Sequence, residues 1–163
     1  MAGFPQDLTV TAALPGSPEG RAVLAAYFRD IVSREHGREA TRDEVDSAMR
    51  AEPSDDLCPP SGLFLVARGD GPVIGCVGLL LLPGSLGEVR RVYVTPAARG
   101  RGVGARLLGA VEDEARNRAV ARLRLDTRSE LVEARRLYAR HGYQEVAPFN
   151  DGWADRWYEK PLA

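Results

Sequence analysis

The chain has 163 residues, 44 % of them hydrophobic and 28 % charged, which suits a single domain over 1–163 with a real core and excludes a disordered, collagen-like or disulfide-stapled chain. Its 22 basic and 23 acidic residues leave a formal charge of −1, so no overall basic excess draws in nucleic acid or an anionic membrane. The charge is nonetheless divided: residues 1–86 sum to −5 and 87–163 to +4, and every basic residue except Lys160 is arginine.

Leu8–Ala13 alternates and reads as a first strand. Ser17-Pro18-Glu19 supplies an N-cap, a proline at the first helical position and an acid in the first turn of a helix striped by Val23, Ala26, Tyr27 and Ile31. Thr41-Arg-Asp-Glu44 is a capping box that opens a short second helix. Leu63–Ala67 and Val73–Leu82 flank Gly69-Asp70-Gly71-Pro72 as a hairpin, and Gly87–Val94 follows as another strand. A helix over 102–120, a strand at Leu123–Thr127 and a helix ending at Gly142 come next, with Tyr143–Val146 and Arg156–Leu162 as late strands. The order β-α-α-β-β-β-α-β-α-β-β contains one obvious βαβ crossover, at 87–127, so the expectation is an α/β (α+β) fold on a mixed sheet with its parallel pair there.

No basic start followed by an apolar run opens the chain, and Val73–Leu82, broken by Gly75 and Gly78, is too short to span a bilayer. Cys58, Cys76, His36 and His141 match no disulfide framework or zinc spacing. The expectation is a cytoplasmic protein with no metal and no membrane or nucleic-acid partner.

The informative stretch runs Val94-Thr-Pro-Ala-Ala-Arg99-Gly100-Arg101-Gly102-Val103-Gly104, from a strand end straight into an amphipathic helix. Glycines let successive N–H groups converge, and a helix start adds unpaired donors and positive dipole, which together suit a pyrophosphate. Three readings compete. A P-loop needs Gly-Lys-Ser/Thr, which Val103-Gly104-Ala105 lacks. A dinucleotide fold fits Gly100-x-Gly102-x-x-Ala105 with Asp126 beyond, but about sixty residues remain for its further βα units. The third is Arg-x-x-Gly-x-Gly (Arg99, Gly102, Gly104) cradling coenzyme A.

The strand GEVRRVYV (87–94), the Thr-Pro-x-x-Arg-Gly-x-Gly-x-Gly entry (95–104) and Leu137-Tyr138-x-x-x-Gly142-Tyr143 together resemble the GCN5-related N-acetyltransferase (GNAT) family. The resemblance implies an acetyl-CoA-dependent transfer to a primary amine and a sheet splayed into a V between its fourth and fifth strands. It implies that Val92, Tyr93 and Val94 bond the pantetheine arm, and that Arg99, Gly100, Arg101, Gly102, Val103 and Gly104 hold the pyrophosphate. Where many members carry an asparagine on the cofactor arm this chain has Leu131, with Ser129 as a substitute. The family often dimerises, so a homodimer is a further implication.

The resemblance also points to Tyr138 as the group that protonates the coenzyme A thiolate, against the alternative of an aromatic packed on the stripe of Leu131 and Ala134. Glu88 lies on the fourth strand where some members place a base; the alternative is an exposed carboxylate paired with Arg90 or Arg91. His141, before Gly142, reads as a helix-end residue, and Cys76 as a small core residue. The acceptor walls fall on Arg34–Thr41 and Pro148–Trp157. A rival from another class is a non-catalytic acyl-CoA-binding module, which shares the cradle but has no use for Tyr138 or Glu88.

Overall fold

The computed structural model describes residues 8–162. Strand β1 (Thr9–Ala12) leads into helices α1 (Pro18–His36) and α2 (Arg42–Ala51), then strands β2 (Gly62–Arg68), β3 (Val73–Leu82) and β4 (Leu86–Val94). Helix α3 (Val103–Asn117), strand β5 (Arg122–Thr127), helix α4 (Val132–Arg140) and strands β6 (Gln144–Glu145) and β7 (Arg156–Pro161) complete the chain. The helix ends follow their sequence signals. Ser17 caps α1 by accepting from the Gly20 N–H, Gly37 closes it in the left-handed region at φ 65°, and the Thr41/Glu44 capping box is fully formed.

The seven strands form one sheet in the order β1-β2-β3-β4-β5-β7-β6. All neighbours are antiparallel except β4 and β5, so the crossover at 87–127 does supply the parallel pair. Helices cover both faces, which explains why β2 is apolar along its length instead of alternating. Leu63, Leu65 and Ala67 join a core with Leu107, Leu108 and Val111 of α3, while Phe64 and Val66 pack with Val23 and Leu24 of α1. β5 splits differently. Leu123 and Leu125 enter the α3 core, and Arg124 and Asp126 alternate onto the opposite face.

Three details position the site. First, β4 and β5 pair only at Leu86↔Arg122, Gly87↔Leu123 and Glu88↔Arg124; beyond Glu88 they separate, giving the splay. Second, the β3–β4 register slips between Cys76↔Tyr93 and Gly78↔Arg90, leaving one extra residue in β4, and Arg91 takes up the bulge at φ 56°. Third, β6 is only two residues long, shorter than the expected Tyr143–Val146, because residues 147–155 leave the sheet and fold over the β5/β7 face. That segment is fastened by Phe149 under the Arg124 guanidinium (4.2 Å) and by the chain Trp157 Nε1 to Asn150 Oδ1 (2.8 Å) and Asn150 Nδ2 to Asp126 Oδ2 (2.8 Å).

Candidate active site

The divergence of β4 and β5 opens a cleft of about 1280 Å³ lined by β4, the start of α3, α4 and residues 150–154. Val92, Tyr93 and Val94 all line it. Beyond Glu88 the edge of β4 turned toward β5 has no strand partner, so its N–H and C=O groups, apart from the Val94 carbonyl that Arg99 holds, are available to an extended ligand carrying amides.

At one end lies the glycine turn. Gly100 (φ 77°) and Gly102 (φ 81°) both occupy the left-handed region, where a side chain would strain the backbone. Gly102 is the N-cap of α3, no side chain caps this helix, and the first helical bond runs from the Arg106 N–H to the Gly102 carbonyl (3.1 Å). The N–H groups of Val103, Gly104 and Ala105 therefore have no intrahelical acceptor, and all three residues line the cleft. Gly104 has a separate reason to be glycine: an added Cβ would sit 2.9 Å from Leu137 Cδ2, so it lets α3 approach α4 closely.

The charged residues expected here are distributed differently. Arg99 lines the cleft, but its Nε donates back to the Val94 carbonyl (2.9 Å), its Nη2 lies 3.5 Å from Asp30, and its guanidinium is 5.9 Å from the Tyr93 ring. Arg101 is exposed and is not among the lining residues. Neither is Ser129, whose N–H and Oγ both donate to the Asp155 carboxylate (2.7 and 3.2 Å). Leu131, at the N-cap of α4, does line it.

Tyr138 is the one buried residue of α4, edge-on to Tyr143 at 5.9 Å and lining the cleft with part of its surface. Burial raises its pKa well above the ordinary phenol value, and the Asp126 carboxylate adds to the effect. Tyr27 faces the same space; burial pushes its hydroxyl up to about 12 although the Arg91 guanidinium pulls the other way. Arg91 stacks on Tyr27 and Phe28 (5.7 and 5.0 Å) and donates to Ser54 Oγ and the Glu52 carbonyl.

Glu88 is buried at 7 % exposure, at the last paired position of β4 and β5. It is neither exposed nor paired with Arg91. One oxygen accepts from Arg90 Nε (2.7 Å) and the other from Arg124 Nε (2.9 Å), the latter from its register partner on β5. His141 caps α4 with its backbone N–H, and Cys76 is fully buried, its thiol raised by burial and donating to the Arg91 carbonyl (3.2 Å). His36 sits away from the cleft, 3.1 Å from Glu44.

Two polar lining residues lie outside the coenzyme A motifs: Asp126, which entered only the dinucleotide reading, and Asn150, inside the Pro148–Trp157 wall. Their signal is faint: charged residues alternating with leucines in an internal strand mark a face that the core does not cover. Among the described residues no group of three or more His, Cys, Asp or Glu could hold a metal, and no helix is long and apolar enough to cross a membrane.

The comparisons agree with this geometry. The family model described as "Acetyltransferase (GNAT) family" matches residues 25–143. An IAA acetyltransferase of Azospirillum brasilense is 39 % identical over 110 residues, covering 65 % of this chain and 72 % of that protein. The chain belongs to the GNAT acetyltransferase family. Its fold matches an acetyltransferase of the GNAT family from Staphylococcus aureus Mu50 (TM-score 0.78, 17 % identity) and a PaiA N-acetyltransferase from Thermoplasma acidophilum in complex with coenzyme A (TM-score 0.74, 19 % identity). In both cases the match covers 96 % of this chain and 99 % of the other.

Proposed function

We propose that this protein is an acetyl-CoA-dependent N-acetyltransferase, a single domain that transfers the acetyl group directly to a primary amine. The observation that carries the reading is the cleft itself: one continuous space joins the free edge of β4, the uncapped N-terminus of α3 and Tyr138. Acetyl-CoA supplies an activated thioester. The N–H groups at 103–105 suit its pyrophosphate, and the edge at 92–94 suits the two amides of its pantetheine arm. Val92, Val94 and Leu137 give that arm an apolar surround. Tyr138 donates a hydrogen bond, and in the transition state a proton, to the departing sulfur. The splayed cleft holds amine and thioester together, which supplies the orientation that direct transfer needs. A non-catalytic acyl-CoA module would share the cradle but would leave the Tyr138 hydroxyl without a task.

The test is release of free thiol from acetyl-CoA across a panel of primary amines. Turnover with at least one amine is expected; coenzyme A binding with no turnover on any amine would leave the module reading standing.

Glu88 acts here as a structural clamp, because both of its oxygens are taken by guanidinium N–H groups. Glu88→Gln should leave the pH profile of kcat unchanged and cost about 2 kcal/mol of stability, the scale of a hydrogen bond to a charged group. A pH profile that loses its acidic limb would return Glu88 to the role of base.

A further inference from the structure

Among the described residues two carboxylates of the cleft have no arginine partner, the exposed Asp151 and the half-buried Asp126. The cleft's other half-buried or buried carboxylates face arginine: Asp30 meets Arg34 and Arg99, Glu88 meets Arg90 and Arg124. More loosely held, Glu52 and Asp56 each lie 3.9 Å from a guanidinium. Asp126 is different. It is half-buried at the end of β5, lines the cleft, and among the described residues its partner is a neutral amide, Asn150 Nδ2 at 2.8 Å.

The orientation of that amide is fixed by chemistry. Trp157 Nε1 can only donate, so the atom of Asn150 facing it at 2.8 Å is the oxygen, and the Asn150 amino group is thereby turned onto Asp126 Oδ2. One oxygen of the carboxylate is held by a donor that brings no charge, and Oδ1 has no hydrogen bond from any of the described residues. A carboxylate held in this way in a cleft wall attracts a cation with N–H donors. It also shares the cleft with Tyr138 and Tyr27, all three lining the same space.

We propose that Asp126 seats the ammonium group of the acceptor, with Asn150 and Trp157 as the positioning residues that hold its carboxylate, so that the enzyme selects amines arriving as cations; the seated ammonium gives one proton to solvent in the open cleft, and the neutral nitrogen then attacks the thioester carbon as the thiolate leaves with the proton from Tyr138. The inference rests on the N-acetyltransferase reading above and names its substrate class. Arylamines, which are neutral at physiological pH, lack the charge that Asp126 reads. Amino acids in which a carboxylate adjoins the amine would bring a second negative charge toward Asp126. Simple alkylammonium ions and polyamine-like cations fit.

The experiment compares wild type with Asp126→Asn, which keeps the shape and removes the charge, and with Asn150→Ala. Three quantities are read for each: KM for an alkylamine, KM for acetyl-CoA, and the rise in Tm that the alkylamine gives to the coenzyme A complex. Asp126→Asn should raise the amine KM at least tenfold, leave the acetyl-CoA KM within twofold and abolish the amine-dependent Tm rise. Asn150→Ala should move the amine KM in the same direction by a smaller factor. An amine KM within twofold of wild type overturns the proposal, as does an equal rise in both KM values. A lower Tm for Asp126→Asn with unchanged amine KM also overturns it, and makes Asp126 only an anchor for residues 147–155. If wild-type protein acetylates no amine, and no alkylammonium stabilises its coenzyme A complex, the transferase reading falls and takes this inference with it. Turnover on arylamines in preference to alkylamines would overturn the inference alone.

Discussion

Replacing Tyr138 by Phe should lower kcat about a hundredfold, the low end of what a positioned proton donor contributes. The ring packs against Tyr143 and Tyr158 at 5.9 Å, and phenylalanine keeps both contacts. Tm and the KM for acetyl-CoA should therefore change little, so a fall in kcat would isolate the hydroxyl. The pH dependence has a definite sign. Burial disfavours the phenolate and raises the folded-state pKa, so Tyr138 stays protonated beyond the pH at which an ordinary tyrosine ionises. The rate should consequently show no alkaline decline from this group up to about pH 10. Unchanged kcat in the phenylalanine variant would reduce Tyr138 to a packing residue.

The second large effect is on stability. Glu112 of α3 is 5 % exposed and accepts from the Tyr143 hydroxyl (3.0 Å) and from Lys160 Nζ (2.9 Å). Lys160, the chain's one lysine, also lies 5.6 Å from the Tyr143 ring. Glu112→Ala would strand an ammonium and a phenol in a low-dielectric site, which should cost about 3 kcal/mol. For a chain of this size that lowers Tm by roughly 6–12 °C. Glu112→Gln, which keeps an acceptor, should cost less. Because Glu112 lies outside the cleft, coenzyme A affinity of the folded protein should hold in both variants. Calorimetry and a coenzyme A titration measure the two quantities separately.

Features written in local chemistry were legible in the sequence. Ser17 and the Thr41–Glu44 box mark helix ends through hydrogen bonds that span only a few residues. Gly100 and Gly102 mark a turn that needs positive φ. Features that depend on the partner strand were not. Nothing in GEVRRVYV says that Arg91, and not a glycine, takes the left-handed bulge; the β3–β4 register decides that. Arg99 looks like a phosphate ligand from its place beside Gly100, yet Asp30 on a helix sixty-nine residues earlier holds one of its nitrogens. Ser129 is likewise held by Asp155, which only the fold over of residues 147–155 brings near it. Asp126 was visible as an acid at the end of a strand and was weighed only for a dinucleotide, because its distinction lies in which partners its neighbours do not supply.

The short parallel seam between β4 and β5 has a mechanical consequence. Past Glu88 each strand is held by its other neighbour, β4 by β3 and β5 by β7, so the Arg90–Glu88–Arg124 cluster ties two halves of the sheet together at the point where they part. From Glu88 to Val94 is about 20 Å at ~3.3 Å per residue, so a rotation of about 5° between the two halves of the sheet at this seam would move Val94 by about 2 Å. The separation of the cleft walls is thus sensitive to the angle at the seam where Glu88 stands. A substitution at Arg124, which never touches the glycine turn, would retune the distance between the two walls that meet the ligand.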